Sequence, residues 1–315
     1  MRQSAGAPSF REHFDGKRFF NPNGERARGF ADVLRWQLNN RREASPPFVD
    51  DVKPSQPPAR VDGDELRVTM VNHSTVLLQH AGRNILTDPV WGERVSPFSW
   101  IGPRRHRAPG VRWEDLPRID VVLISHNHYD HLELAVVRKL AWCEFVAPKG
   151  LARLLKRQGI ERVHELDWGE AAETAGLAIH AAPAMHFSAR GLFDRNRTLW
   201  CGFAMETARG VVYFAGDTGF GDHFAAIRER YGAPRLALLP IGAYEPRWFM
   251  SPVHMGPAEA ARAHEMLGAE KSVAIHHGTF QLADEGIDTP GRELARCAPG
   301  DSFVVLANGE SVTLT

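Results

Sequence analysis

One run of residues limits what this chain can become more than any other: Ser125-His126-Asn127-His128-Tyr129-Asp130-His131-Leu132. It sets four potential metal ligands within six residues, directly after the apolar run Val121-Val122-Leu123-Ile124 and ahead of a stretch with helical spacing. Extended backbone alternates its side chains, so His126 and His128, two apart, point the same way. Asp130 and His131 then turn toward the helix and reach a second point nearby. A fold that uses this run must bring the C-terminal end of a buried strand to a polar centre.

Three later strand-like runs end in the same fashion. Residues 177–182 lead to His186, residues 211–215 to Gly216-Asp217-Thr218-Gly219, and residues 272–275 to His276-His277-Gly278. Together the donors suggest two triads. His126, His128 and His186 could hold one metal, and Asp130, His131 and His276 another, with Asp217 between them. Imidazole and carboxylate without thiolate suit zinc first, with manganese or iron as alternatives. A water shared by two such ions would lose its proton near neutral pH, because bound metal lowers its pKa from about 15.7 to about 7. Asp130 would help hold the resulting hydroxide, in a site still attractive to an anion.

The surrounding pattern supplies the frame. Short runs rich in Val, Leu, Ile and Phe at 66–71, 76–79, 85–87, 121–125, 177–182, 211–215, 236–241, 272–275 and 303–307 predict strands. Helices are expected over 132–142, 150–158, 224–231 and 257–267, the last between Pro257 and Gly268. Strands mixed with helices predict an α/β sandwich with helices outside. Residues 63–315 form this domain. Residues 1–62 read as an N-terminal arm with a proline-rich connector, 45–58, and a helix over 28–42, where Phe30, Val33, Leu34 and Leu38 fall at helical spacing. That helix is expected to dock on the domain; the sharper reading rests it on a membrane surface. No internal repeat is visible in the sequence.

Composition excludes little but usefully. The 38 basic and 38 acidic residues cancel, so no nucleic-acid partner is expected; Arg104, Arg105 and Arg107 are the densest basic group. The three cysteines are far apart, which argues against a disulfide framework and for a reducing compartment. With no apolar signal segment at the start, the expected location is cytoplasmic, peripheral at the inner membrane surface. Neither a GxSxG elbow nor a P-loop occurs.

The run HNHYDHL, the later AGDTG and the AIHHGTF segment resemble the metallo-β-lactamase superfamily. Leu86-Thr-Asp-Pro89, Ile101-Gly-Pro-Arg104, Glu165-Leu-Asp-Trp168 and the stretch from Pro240 to Met250 narrow the likeness to N-acyl-phosphatidylethanolamine-hydrolysing phospholipase D and its bacterial relatives. The likeness runs from about residue 66 to 310. It implies an αβ/βα sandwich with two central mixed β-sheets and helices on the outer faces. It also implies two divalent metals on His126, His128, Asp130, His131, His186, Asp217 and His276, with His254 in the active site and Asp88 orienting a ligand histidine. Ile275-His276-His277-Gly278 carries a histidine where the family has tryptophan, so the neighbouring pocket is expected to differ.

The implied reaction is hydrolysis of an N-acyl-phosphatidylethanolamine-like or other amphipathic phosphodiester. In it His254 serves as general acid, and Arg247, Tyr244 and Trp248 contact substrate. For Arg247 a salt bridge with Glu245 or another carboxylate is the competing role. Phe98, Trp100, Ile101, Trp248, Phe249 and Met250 would receive acyl chains or touch a membrane. A lactonase acting on a small phosphorylated sugar lactone is the alternative reaction, and a lipid- or metal-binding protein with an inert site is the non-enzymatic one. Expected partners are a small-molecule or lipid substrate, a membrane surface touched peripherally, and a second copy of the chain in a homodimer.

Overall fold

The computed structural model describes residues 12–22, 27–39, 41–98, 100–298 and 300–315; the side chain of Phe30 lies outside the described atoms. The first half of the domain lays down β1 (Leu66–Asn72), β2 (Thr75–His80), β3 (Arg83–Thr87), β4 (Val121–Leu123), β5 (Glu144–Pro148) and β6 (Val163–Leu166). The second half lays down β7 (Ala171–Thr174), β8 (Leu177–Ala182), β9 (Gly202–Thr207), β10 (Gly210–Phe214), β11 (Pro234–Pro240), β12 (Lys271–Ile275) and β13 (Phe303–Val304). The last strand, β14 (Ser311–Leu314), returns to the first half and pairs with β1.

Two seven-stranded sheets result, ordered β14-β1-β2-β3-β4-β5-β6 and β7-β8-β9-β10-β11-β12-β13. Each opens with antiparallel pairs up to its fourth strand and continues with parallel ones. The topology is thus duplicated although the sequence shows no repeat. Pairing pattern depends on where apolar runs and turns fall, and many different side chains satisfy it.

Alternation along the strands makes the layers. On β11, Leu236 and Leu238 face the core between the sheets, while Ala237 and Leu239 face the outer helices. On β4, Val121 and Leu123 point inward and Val122 outward. Strands buried on both faces read as continuous apolar runs, which is why these were legible.

The arm helix α1 (Phe30–Leu38) is shorter than the expected 28–42. Gly29 caps it, donating its N–H to Asp32 (3.0 Å). The helix docks on the domain: Trp36 stacks on Phe249 (5.1 Å) and donates its indole N–H to Asp284 (2.9 Å). Downstream the connector is strapped to the domain, with Val49 N–H donating to the His106 carbonyl and Ser55 N–H to that of Gly110, both at 2.7 Å.

The remaining helices are α2 (Leu134–Lys139), α3 (Ala152–Lys156), α4 (His223–Tyr231), α5 (Arg247–Met250), α6 (Pro257–Leu267) and α7 (Thr289–Cys297). Val137 of α2 and Leu155 of α3 pack against the outer face of the first sheet. Phe224, Ala263 and Leu294, from α4, α6 and α7, cover the second. No helix among the described residues is long and apolar enough to cross a membrane.

Candidate metal centre

The two sheets converge so that several strand C-termini meet. The loop after β4 carries His126, His128, Asp130 and His131; the segment after β8 carries His186; β10 runs into Asp217, and β12 into His276. The β4 loop is clamped by Arg190, whose guanidinium donates to the carbonyls of Asn127 (3.0 Å) and Leu132 (2.8 Å) and lies over the Tyr129 ring at 4.0 Å. Four of the seven described non-glycine residues with positive φ stand at or beside this site: His73, Asp88, Ala243 and His276. Strain concentrated in this way marks a place where side-chain direction matters more than backbone ease.

The structure brings all seven sequence-named ligands together, in two groups. His126 Nε2 lies 2.8 Å from His128 Nδ1, and His186 Nε2 lies 3.2 Å from the same atom. In the second group, Asp130 Oδ2 lies 3.3 Å from both His131 Nε2 and His276 Nε2. Asp217 Oδ2 sits between the groups, 3.1 Å from His131 and His276, 3.7 Å from His186 and 3.9 Å from His126. All are buried except His128, which is half-buried. Asp88 stands behind: its Oδ2 is 2.6 Å from His131 Nδ1, while Oδ1 accepts from Ser125 N–H at 2.7 Å.

This donor set fits divalent cations. His131 Nε2, His276 Nε2 and Asp217 Oδ1 are buried without hydrogen-bond partners, a costly state that ligation relieves. Burial, reinforced by neighbouring imidazoles, pushes His128 down to about 3 and holds His126 well below the ordinary histidine value. Burial also lowers His186 to about 4, against the pull of Asp217. These three are neutral at pH 7 with lone pairs to offer. Burial works to lower His276 as well, but Asp217 and Asp130 outweigh it and lift that residue to about 9.

The substrate contacts expected from sequence fare differently. Arg247 gives both oxygens of Glu259 hydrogen bonds of 2.8 and 2.7 Å and also donates to the Tyr244 and His254 carbonyls. It braces the turn before α6 and does not line the cavity over the metal centre; the competing salt-bridge role is the one the structure has. Tyr244, whose hydroxyl donates to Glu293 (2.6 Å), and Trp248 face a neighbouring cavity instead. His254 does reach the site, its ring 5.0 Å from that of His186 and 5.3 Å from that of His276. His277 lines a separate cavity with Arg107 and Asp288 and is absent from the lining of the cavity over the ligands. Arg104 and Arg107 are paired with Glu93 and Asp51, and Arg105 is buried.

The cavity over the ligands, about 270 Å³, is walled by Val33, Phe187, Phe249, Met250, Val253 and Leu282, with Arg28 and Arg195 at its edge. Arg195 donates to the carbonyls of Ala27 (3.2 Å) and Arg28 (2.8 Å), tying the arm across the opening, and lies over Phe187. Phe187 in turn packs on His128. Sequence reasoning missed Arg28, Val33, Arg195 and Leu282 because nothing local marks them; the fold collects them from the arm and distant loops.

Residues 83–277 match the family described as the Beta-lactamase superfamily domain. The chain is 42% identical over 231 residues to N-acyl-phosphatidylethanolamine-hydrolyzing phospholipase D 1 of Caenorhabditis elegans; that match covers 69% of this chain and 65% of the worm protein's length. It is 32% identical over 250 residues to a UPF0173 metal-dependent hydrolase of Methanopyrus kandleri, covering 78% of this chain and 99% of that one. Among solved structures, Igni18, a metallo hydrolase from Ignicoccus hospitalis, superposes with a TM-score of 0.58 at 26% identity, covering 80% of this chain and 99% of the other. By its matched domain, and by a relative spanned almost end to end, this chain belongs to the beta-lactamase superfamily and is related to its metal-dependent hydrolases.

Proposed function

We propose that this chain is a metal-dependent hydrolase that holds two divalent ions, zinc first with manganese or iron as alternatives, and cleaves an amphipathic phosphodiester in the manner of a phospholipase D. The observation that carries the reading is the cavity itself: apolar side chains and two arginines, Arg28 and Arg195, line one space together with His128, Asp130 and Asp217. Such a lining matches an anion flanked by apolar chains. The C. elegans relative, by its name, hydrolyses a substrate of that class.

Bound divalent ions would supply charge neutralisation at phosphorus and a water acidified toward neutral pH. His126, His128 and His186 would hold one ion, Asp130, His131 and His276 the other, and Asp217 would face both. Asp88 fixes the ring of His131 through Nδ1. Arg195, at the edge of the cavity, orients a phosphate oxygen. Phe249, Met250 and Leu282 exclude water from the apolar side. Burial holds His254 well below the ordinary histidine value. It is therefore neutral and serves the leaving oxygen as a hydrogen-bond donor, while the proton itself comes from water.

The test is turnover of bis-p-nitrophenyl phosphate and N-acyl-phosphatidylethanolamine beside simple lactones, in oxygen-18 water, with zinc, manganese and iron in turn. Attack at phosphorus puts the label in the phosphate monoester. Efficient lactone opening with no phosphodiester turnover under any metal would overturn the proposal and favour the lactonase.

A cavity of about 270 Å³ lies just below the roughly 300 Å³ and above typical for small-molecule sites. It takes a phosphodiester and the nearest chain segment, leaving long acyl chains outside. Leu34 and Leu38 on the arm helix, whose Val33 lines this cavity, and Trp248 beside Phe249 are exposed apolar groups. Protein spun with phosphatidylcholine vesicles containing phosphatidylglycerol is therefore expected in the pellet, and a Leu38→Ser, Trp248→Ser variant in the supernatant. Equal recovery of both proteins with and without anionic lipid would count against membrane contact.

A further inference from the structure

His73 is absent from the ligand set read from the sequence, yet its ring lies inside the metal centre. It sits in the turn between β1 and β2, fully buried, at φ +48°. The loop that carries His276 holds this turn from two sides. His73 N–H donates to Thr279 Oγ1 at 3.0 Å, and the His73 carbonyl accepts from His276 N–H at 2.8 Å. The ring is 4.1 Å from that of His276, and Phe280 closes the remaining side edge-on at 5.3 Å. Its Nε2 then has one polar target, Asp130 Oδ2, at 3.1 Å.

Two roles are open to such a ring: an extra ligand, or a brace for Asp130. Asp130 Oδ2, His131 Nε2, His276 Nε2 and Asp217 Oδ2 already provide four donors, with carboxylate-to-imidazole distances of 3.1 to 3.3 Å. A tetrahedral ion with bonds near 2.05 Å has edges of about 3.4 Å, so these four nearly close a coordination shell by themselves. His73 Nδ1 is buried with no partner. Ligation through Nε2 would put an N–H at that orphaned position. The contact itself favours the brace: Nε2 lies 3.1 Å from Asp130 Oδ2, and an ionised carboxylate only accepts, so the proton belongs on Nε2. The neutral tautomer with its proton on Nε2 leaves only a lone pair there and gives Asp130 a hydrogen bond.

We propose that His73 is a positioning residue for the second metal: it donates Nε2–H to Asp130 Oδ2 and holds that carboxylate against His131 and His276. This rests on the two-metal reading above. The test is zinc titration of metal-free protein against a chromogenic chelator, which resolves the two sites without reference to activity. His73→Phe, which keeps a ring but no donor, is expected to weaken the second site by about tenfold to a hundredfold and leave the first unchanged, as loss of such an orienting partner does. His73→Gln, whose amide nitrogen reaches the position of Nε2, is expected to restore the second site to within about threefold.

Unchanged affinity at both sites in His73→Phe would overturn the proposal. Equal weakening of both sites in the Phe and Gln variants would assign His73 a merely structural role and overturn it as well. Should His73→Phe fail to fold, His73→Met replaces it as the donor-free variant; failure of both would assign the residue to the fold and reject the positioning role. A wild-type protein with a single zinc site would remove the two-metal reading, and this proposal with it.

Discussion

Asp217→Asn is expected to lower hydrolytic turnover by about a thousandfold and, on the two-metal proposal, to leave one ion per chain or none. Among the described residues, Asp217 is the one carboxylate whose oxygen lies within 4 Å of four ligand imidazoles, from both groups. Asparagine keeps the volume and removes the charge, so packing is nearly constant while about half of the anionic compensation for two dications is lost. A deficit of about 4 kcal/mol in transition-state stabilisation corresponds to that thousandfold, and metal sites supply several kcal/mol of this kind. Metal analysis by mass spectrometry on the purified variant, beside initial rates, checks both parts. Two tightly held metals and near-native turnover in Asp217→Asn would remove Asp217 from the centre.

Chelator-treated protein should carry a pH signature of the same cluster. His276, raised to about 9 in the fold, contributes stability that is fully present below its unfolded value near 6.5 and is lost as pH rises through about 9. His128 and His186, lowered to about 3 and 4, act oppositely. They stay neutral in the fold while the unfolded chain takes up protons below about 6.5, so stability falls as pH drops from there toward 3. The metal-free protein is therefore expected to melt highest near pH 6.5 and lower on either side. Metal competes with protons for the same nitrogens and should raise the melting point most on the neutral and alkaline side. A melting point rising steadily from pH 6.5 to 9 in chelator would contradict this balance.

The centre is legible in the sequence because its ligands cluster where apolar runs stop, and a buried strand ending in His or Asp must deliver that side chain to a polar centre. β4 and β11, buried on both faces, read as continuous apolar runs; β5 and β9 pack on both faces too but escaped, because Glu144 and Pro148 bound a run of three and Gly202 and Glu206 flank Phe203-Ala204-Met205. β7 was missed because Ala171-Ala172-Glu173-Thr174 has little β preference. α7 was missed because it opens with Thr289-Pro290-Gly291, a trio with the composition of a turn. His73 escaped for a different reason. Asn72-His73-Ser74 is an ordinary polar hairpin connection in one dimension, and only the packing of the β12 loop against it turns the ring toward Asp130. Arg247 carried two readings, a substrate contact suggested by the family-like string and a salt bridge with a carboxylate, and the fold pairs it with Glu259. The duplicated topology escaped because strand pairing is indifferent to residue identity so long as burial alternates.

Gly216→Ala is expected to destabilise the protein by about 2–5 kcal/mol and to weaken metal binding although no ligand changes. Gly216 has φ +61° just before Asp217, in the left-handed region that an L side chain occupies at roughly 1–2 kcal/mol. A Cβ there would lie 2.7 Å from Ser125 Cβ, 3.1 Å from Ser125 Oγ and 3.2 Å from the Cys201 carbonyl. Overpacking of this sort costs a further 1–3 kcal/mol or so. Ser125 cannot retreat freely, because its N–H and hydroxyl both donate to Asp88 (2.7 and 2.5 Å) and its carbonyl accepts from Cys201 N–H (3.0 Å). Any shift passes to Asp88 and from there to His131, and directly along the chain to His126. For a domain this large, a loss of that size lowers the melting temperature by about 5–15 °C. Gly63→Ala is the control: it too has positive φ, +65°, but its Cβ meets nothing within 4 Å, so it should lose only the backbone contribution and keep full metal affinity. Thermal unfolding and zinc titration of the two variants separate steric displacement of the centre from backbone strain. Equal destabilisation with unaltered zinc affinity in both would show that the contact with Ser125 does not reach the metal ligands.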